Sequence, residues 1–382
     1  MKRILFMPFL QMSSGHHQVA NGIIESLHEN NNKFECEKID ILSYSYGQFE
    51  VFVTNFYIKW IQLFPGLYSW LYMKSAYKNE MEKKRFYLYE WLFLYSMEKL
   101  IKEKNPHLII CTHALPSYLL SHLKQKGKVS APVINVYTDY FINQIWGIES
   151  IDYHFAPNKE IKEILIERGV KSDQVLLTGI PIHPQFKIHT KIQKPDSEFS
   201  VLISGGNLGT GLMKTLVETL KPSGNIIYKV LCGKNTKLYN WIKQMNNPFI
   251  YPIPYITSKE VMNELYDTVD AIITKPGGVT ISECLYKKIP ILVYYELPGQ
   301  EQINLHNLKK WNLVYHLDRW RELPNLEEKI VALLYCDKHQ KRRNYQLDAY
   351  HQNLSKESIS VFINKLLTEN VKNIKHVSCQ PK

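Results

Sequence analysis

The stretch Lys275-Pro276-Gly277-Gly278-Val279-Thr280-Ile281-Ser282-Glu283 combines residue types suited to holding a phosphate. Adjacent glycines let the backbone approach a ligand closely, and a helix opening there aims its unbonded N–H groups at an anion. Glu283 falls about a turn and a half into that helix, where it could accept hydrogen bonds from sugar hydroxyls. The plainer alternative is a tight structural turn with a surface glutamate. A second glycine-rich turn, Ser204-Gly205-Gly206-Asn207-Leu208-Gly209, also stands between a predicted strand and a predicted helix, the context in which such turns take phosphate. It is not a Walker-type loop and matches a dinucleotide fingerprint only loosely. His16 suggests different chemistry. It follows the first predicted strand, on the edge where open α/β sheets place ligands, and an imidazole there could be a general base or a ligand contact. A polar surface histidine is its alternative. Asp139 ends another predicted strand on the same edge.

These residues need elements to position them. Apolar runs predict strands over 2–9, 34–42, 107–113, 132–139 and 152–156, with one more from Val175. Helical spacing predicts helices over 18–29, 117–126 and 159–168, with 11–17 as a loop. After a polar, aperiodic linker over 187–198, the alternation resumes. Strands are expected over 199–203, 226–232, 249–252, 270–274 and 289–295. Helices are expected over 212–220 and 237–244, from a cap at Ser258, after Gly278, and over 326–334 and 338–367. Residues 372–382 read as disordered. Strand–helix alternation in both halves implies parallel sheets covered by helices.

Composition narrows the function. A chain of 382 residues with 45% hydrophobic residues suits two domains, and a net charge of +11 suits an anionic partner. Six scattered cysteines form no Cys-x-x-Cys pair, which argues against a zinc or dithiol site. Cys111, Cys232 and Cys284 stand in apolar surroundings and read as core residues. No apolar run reaches the ~18 residues of a membrane span, and the basic-then-apolar start is too short for a signal peptide. A cytosolic protein, peripheral on a membrane, is expected. Residues 44–95 are crowded with aromatics, among them Trp60, Trp70 and Trp91, with Lys83, Lys84 and Arg85 interleaved. Rings at headgroup level beside cations are the composition of a membrane interface. No nucleic-acid motif accompanies them.

The motifs occur in a recognisable order: Ser14-Gly15-His16, Thr138-Asp139-Tyr140 with Trp146, Thr178-Gly179-Ile180-Pro181-Ile182, Cys232-Gly233-Lys234-Asn235, Thr274-Lys275-Pro276-Gly277-Gly278 with Glu283, and Pro298-Gly299-Gln300-Glu301 with Asn304. Together they resemble the family of processive diacylglycerol glucosyltransferases and plant monogalactosyldiacylglycerol synthases, in glycosyltransferase family 28. The peptidoglycan glycosyltransferase MurG is more distantly similar. The resemblance implies an α/β GT-B fold, two Rossmann-like domains facing a central cleft. Residues 1–190 would face the acceptor and membrane, 198–350 would bind the UDP-sugar, and 351–382 would form a helix crossing back, with a disordered tail.

It further implies an inverting transfer of a hexose, glucose before galactose, from a UDP-sugar to diacylglycerol, without an essential metal or other cofactor. The catalytic candidates are then His16, first, and Asp139. Donor contacts would come from Gly15, Gly205, Gly206, Asn207, Gly233, Lys234, Lys275, Gly277, Gly278, Thr280 and Glu283, the last on the ribose. Gln300, Glu301 and Asn304 would meet the donor sugar. Tyr140 and Trp146 would join Trp60, Trp70, Lys83, Lys84, Arg85 and Trp91 on the acceptor and membrane side. The chain departs from the family pattern at Ser13 and Ser14, where glycines are frequent, at Asn143, where histidine is common, and at His183, where arginine is frequent. Transfer to another lipid-linked or soluble acceptor, and a non-catalytic UDP-sugar-binding relative, are the alternatives.

Overall fold

The computed structural model describes residues 1–9, 14–30, 34–47, 85–188, 199–206 and 212–377. Trp60, Trp70, Lys83, Lys84 and Asn207 lie outside them, as do most of the aromatic segment and of the expected linker. The chain divides into two compact units, Met1–His183 with Asn353–Lys382, and Pro184–Gln352.

The first unit is built on β1 (Lys2–Met7), β2 (Phe34–Lys38), β3 (Leu108–Cys111), β4 (Val133–Val136), β5 (Tyr153–Ala156) and β6 (Val175–Leu177). They form one parallel sheet in the order β2-β1-β3-β4-β5-β6. Helices α1 (Gly15–Asn30), α2 (Ile41–Tyr46), α3 (Tyr87–Lys104), α4 (Ala114–Gln125) and α5 (Lys159–Glu167) accompany it. A sheet covered on both faces needs strands apolar on both faces, and β3 and β4 are buried throughout. Met97 and Leu100 of α3 pack with Leu119 and Leu123 of α4 over Ile109 and Val133. In α1 the buried Val19, Ala20, Ile23 and Leu27 share one face. Gly22 sits on that face because a Cβ there would lie 2.9 Å from the Ile182 carbonyl oxygen. The segment after β6 thus lies directly on the helix.

The second unit repeats the plan with β7 (Phe199–Ser204), β8 (Ile226–Leu231), β9 (Ile250–Ile253), β10 (Ala271–Thr274), β11 (Ile291–Val293) and β12 (Tyr315–His316). The order is β12-β11-β10-β7-β8-β9, again parallel. Its helices are α6 (Met213–Thr219), α7 (Thr236–Met245), α8 (Lys259–Asp267), α9 (Gly278–Tyr286), α10 (Gln300–Lys310), α11 (Leu326–Tyr335) and α12 (Asp337–Asn353). The last described helix, α13 (Ile359–Val377), belongs to the first unit. Its Phe362 ring meets those of Tyr153 and Phe155 at 5.1 and 5.6 Å. Asn30 Nδ2 donates to Ser360 Oγ at 3.1 Å, and Lys2 Nζ donates to the Leu367 carbonyl.

The elements differ from expectation where a local cap or a distant contact intervenes. The second strand stops at Lys38 because the Asp40 carboxylate accepts from the Leu42 and Ser43 amides and starts α2. The loop expected over 11–17 gives way at Gly15, so His16 and His17 stand in the first turn of α1. The single helix expected over 338–367 is two, α12 and α13. Between them Ser355 N bonds the Leu177 carbonyl, and Ser358 Oγ accepts from Val361 N near the start of α13. Residues 372–377, expected to be disordered, continue α13. Ser258 caps α8 as expected, and Cys111, Cys232 and Cys284 are buried.

Candidate active site

In each sheet the chain reverses its direction of strand addition once, between β1 and β3 and between β7 and β10. The crevice beyond the carboxyl ends of such strands is where open parallel sheets take ligands. Both predicted sets of polar residues lie there.

In the first unit, His16 opens α1 beside the end of β3. Its Nδ1 lies 2.7 Å from the Thr112 carbonyl oxygen and 3.0 Å from Thr138 Oγ1. A carbonyl can only accept, so Nδ1 carries the ring proton and Nε2 keeps its lone pair. Burial lowers the pKa of this imidazole, while the Asp139 charge and the Thr112 carbonyl oppose the shift without cancelling it. The ring is therefore held neutral at neutral pH. Asp139 follows Thr138 beyond β4 and acts on His16 through its charge. Gly15 is the first residue of α1.

Two residues given no role from the sequence complete this group. Thr138 supplies the second contact to His16 Nδ1. His113 caps α4 through Nδ1, and its ring meets that of His16 edge-on at 4.8 Å. Its place at the end of an apolar run, on the same edge as Asp139, was the available signal.

In the second unit, β7 runs into Ser204-Gly205-Gly206. Gly206 has φ +79°, a conformation that favours glycine. A Cβ on it would stand 3.9 Å from Lys275 Cε, so the two turns adjoin. Lys275 Nζ is 3.4 Å from Glu301 Oε1, and Glu301 Oε2 accepts from the Leu297 amide at 2.6 Å. Asn304 Nδ2 donates to the Pro276 carbonyl at 3.2 Å, tying α10 to the turn before α9. Gly277 is the N-cap of α9 with an ordinary φ of −75°, and a Cβ on it would meet nothing within 4 Å. The space over that helix N-terminus is open. Gly278 is buried, and Thr280 and Gln300 are half-buried in the first turns of α9 and α10.

Glu283 is not the surface glutamate of the plainer alternative: it is only 5% exposed. Its Oε2 accepts from the Tyr266 hydroxyl at 2.9 Å, and its Oε1 lies 3.6 Å from Lys259 Nζ. Burial raises its pKa, against the pull of Lys259 and Tyr266. Gly233, with φ +58°, turns the chain after β8. Lys234 is exposed, with its ammonium 5.5 Å from the Tyr255 ring centroid.

The described part of the aromatic segment splits in two. Tyr87, Trp91 and Tyr95, four residues apart on α3, are 66%, 80% and 80% exposed, with Leu88 beside them at 63%. Arg85 precedes them and forms a two-pronged pair with the buried Glu90, which also accepts from Tyr118. Its partners hold the carboxyl of Glu90 down at about 2. Tyr140 and Trp146, expected on the acceptor and membrane side, are buried residues of the first unit. Tyr140 is fully buried, and the Trp146 ring packs into the core against Tyr137 at 4.7 Å. Among the described residues no helix is long and apolar enough to cross a membrane.

Residues 16–182 match the family model for monogalactosyldiacylglycerol (MGDG) synthase. The chain is 41% identical over 368 residues to YkoN of Bacillus subtilis, described as an uncharacterized glycosyltransferase, covering 96% of this chain and 98% of that one. The chain belongs to the MGDG synthase and diacylglycerol glucosyltransferase family. Within that family it is 27% identical to the processive diacylglycerol beta-glucosyltransferase of Bacillus licheniformis, over 91% of this chain and 90% of that protein. MurG of Acinetobacter baumannii superposes with a TM-score of 0.62 at 12% identity, covering 97% of this chain and all of that one. The fold is thus the α/β GT-B fold of MurG-like glycosyltransferases.

Proposed function

We propose that the protein moves a hexose, glucose first, from a UDP-sugar to diacylglycerol or a glycosyl-diacylglycerol at a membrane surface, with inversion. The observation that carries this reading is His16, whose proton is fixed on Nδ1 and whose Nε2 lone pair is left to act as a base. Nε2 takes the proton of the acceptor hydroxyl. The hydroxyl oxygen forms its bond to the sugar's anomeric carbon as the bond from that carbon to the diphosphate breaks, and UDP leaves with the electron pair. Asp139 steadies the imidazolium that results, through the charge it already exerts on His16.

The departing diphosphate needs positive charge. The open N-terminus of α9, the adjoining turn at Gly205-Gly206 and the Lys275 ammonium supply it without a metal. Lys275 exchanges Glu301 for phosphate, which frees the Glu301 carboxylate for the hydroxyls of the sugar beside Gln300 and Asn304. Glu283 takes the ribose by giving up part of its contact with Tyr266 and Lys259. The exposed Tyr87, Leu88, Trp91 and Tyr95 supply a face for a bilayer, and the protein works from the cytoplasmic side as a peripheral protein. The names of its diacylglycerol-glucosylating relatives support the acceptor.

The test is transfer of label from UDP-glucose or UDP-galactose to diacylglycerol in anionic vesicles, with and without EDTA. The expected result is a glycolipid of inverted anomeric configuration, formed at the same rate with chelator present. Retained UDP binding with no transfer from either donor would sink the enzyme reading in favour of a binding relative. Transfer only to another acceptor would overturn the lipid assignment.

A further inference from the structure

His113 has no role in the scheme so far beyond its neighbourhood to His16. It stands just beyond β3, at the reversal point of the first sheet. Its Nδ1 accepts a hydrogen bond from the Leu115 amide at 3.1 Å. An accepting Nδ1 is unprotonated, so the single proton of a neutral ring sits on Nε2. Burial and the adjacent His16 push the pKa of this imidazole well below its ordinary value, which keeps the ring neutral. Its plane is fixed by stacking on Phe9, with ring centroids 4.7 Å apart and 22° between planes. The Nε2–H has no acceptor among the described residues, and the side chain is partly open to solvent.

The two neighbouring imidazoles therefore carry opposite tautomers, each set by the backbone. The Thr112 carbonyl makes His16 a lone-pair acceptor at Nε2, and the Leu115 amide makes His113 an N–H donor at Nε2. The rings meet at 86° with centroids 4.8 Å apart. One acceptor and one donor on adjoining rings match the two needs of a hydroxyl group, which offers one hydrogen and accepts at oxygen.

We propose that His113 is the second ligand of the acceptor hydroxyl, donating Nε2–H to the oxygen whose proton His16 removes. This rests on the reading of His16 as the base of the proposed transfer. His113 gives up no proton. It fixes the orientation of the hydroxyl, so that the oxygen's free electron pair faces the anomeric carbon while its hydrogen faces His16. An ether or ester oxygen of the same lipid has no hydrogen for His16 and satisfies only half of the pair. The pair thus selects a free hydroxyl.

His113→Asn tests this, because asparagine keeps an N-cap oxygen for Leu115 N and so preserves α4. The expected outcome is unchanged thermal stability and UDP affinity, with kcat/KM for the lipid acceptor reduced by about tenfold or more. Nitrogen NMR of the wild-type imidazoles is expected to show His16 protonated on Nδ1 and His113 on Nε2. A His113 ring protonated on Nδ1 overturns the proposal directly, whatever the activity. Normal transfer by His113→Asn overturns it while leaving the transfer reading intact. Absence of transfer by the wild-type protein, with every acceptor, overturns both.

Discussion

The two units share a scaffold and divide the chemistry. Both sheets are parallel and six-stranded, and both reverse direction once. In the first, the crevice at the reversal is lined by side chains that can titrate or hydrogen-bond: two imidazoles, a threonine hydroxyl and Asp139. In the second, the same place is lined by backbone: two glycine turns and a bare helix N-terminus, with one Lys–Glu pair beside them. Proton transfer needs side chains whose pKa values burial and neighbours can tune. Phosphate needs N–H groups brought close, which side chains would obstruct. One fold can thus serve either task by what it places at the strand ends.

The contrast is open to breaking. The largest effect is expected at His16. His16→Ala lowers turnover by about a hundredfold or more while leaving UDP affinity near wild type by calorimetry. Intact turnover would move the base elsewhere. A smaller effect is expected from Gly277→Ala. Its new Cβ meets no protein atom within 4 Å, so thermal stability stays unchanged. A methyl group in the way of a phosphate weakens UDP binding by roughly tenfold, the cost of about one good hydrogen bond. Unchanged UDP affinity would make that glycine merely structural.

A further effect concerns acid and is read as stability, not activity. Burial lowers the pKa of His154 to about 3, and His16 and His113 shift in the same direction. Unfolded histidines bind protons from about pH 6.5 downward. From there toward pH 3 the unfolded chain holds protons that the first unit refuses. Stability therefore falls as pH falls, by up to about 1.4 kcal/mol per pH unit for each lagging histidine. In the second unit burial lowers His316 and His351 as well, but buried Glu283 has the opposite sign, since its raised pKa makes the folded state the stronger proton binder above the ordinary carboxylate range. Hydrogen exchange at pH 7 and pH 5 should show protection lost in the first sheet before the second. Equal loss in both would contradict this assignment.

Much of this was legible in the residues. The strands of a doubly covered parallel sheet must be apolar on both faces, and runs such as 108–111 and 271–274 announced themselves. The two glycine turns stood out because a strand precedes each. What escaped depends on contacts distant in sequence. The start of α1 was invisible because Gly15, His16 and His17 show no apolar period, and Thr112 and Thr138 hold His16 from 96 and 122 residues away. The burial of Glu283 could not be read because Tyr266, its partner, lies one helix upstream. The burial of Trp146 was not legible because its core neighbour Tyr137 is brought to it by the fold. Asp40 and Ser358 were missed despite a local signal, as each has the residue type of an N-cap.

The return of α13 to the first unit bears on synthesis. The ribosome completes every residue of the second unit before it makes Ile359–Val377. Until then the rings of Tyr153 and Phe155, which Phe362 will cover, have no such shield. The unit begun first is therefore finished last, and the nascent chain carries an uncovered aromatic patch for as long as it takes to translate the intervening domain.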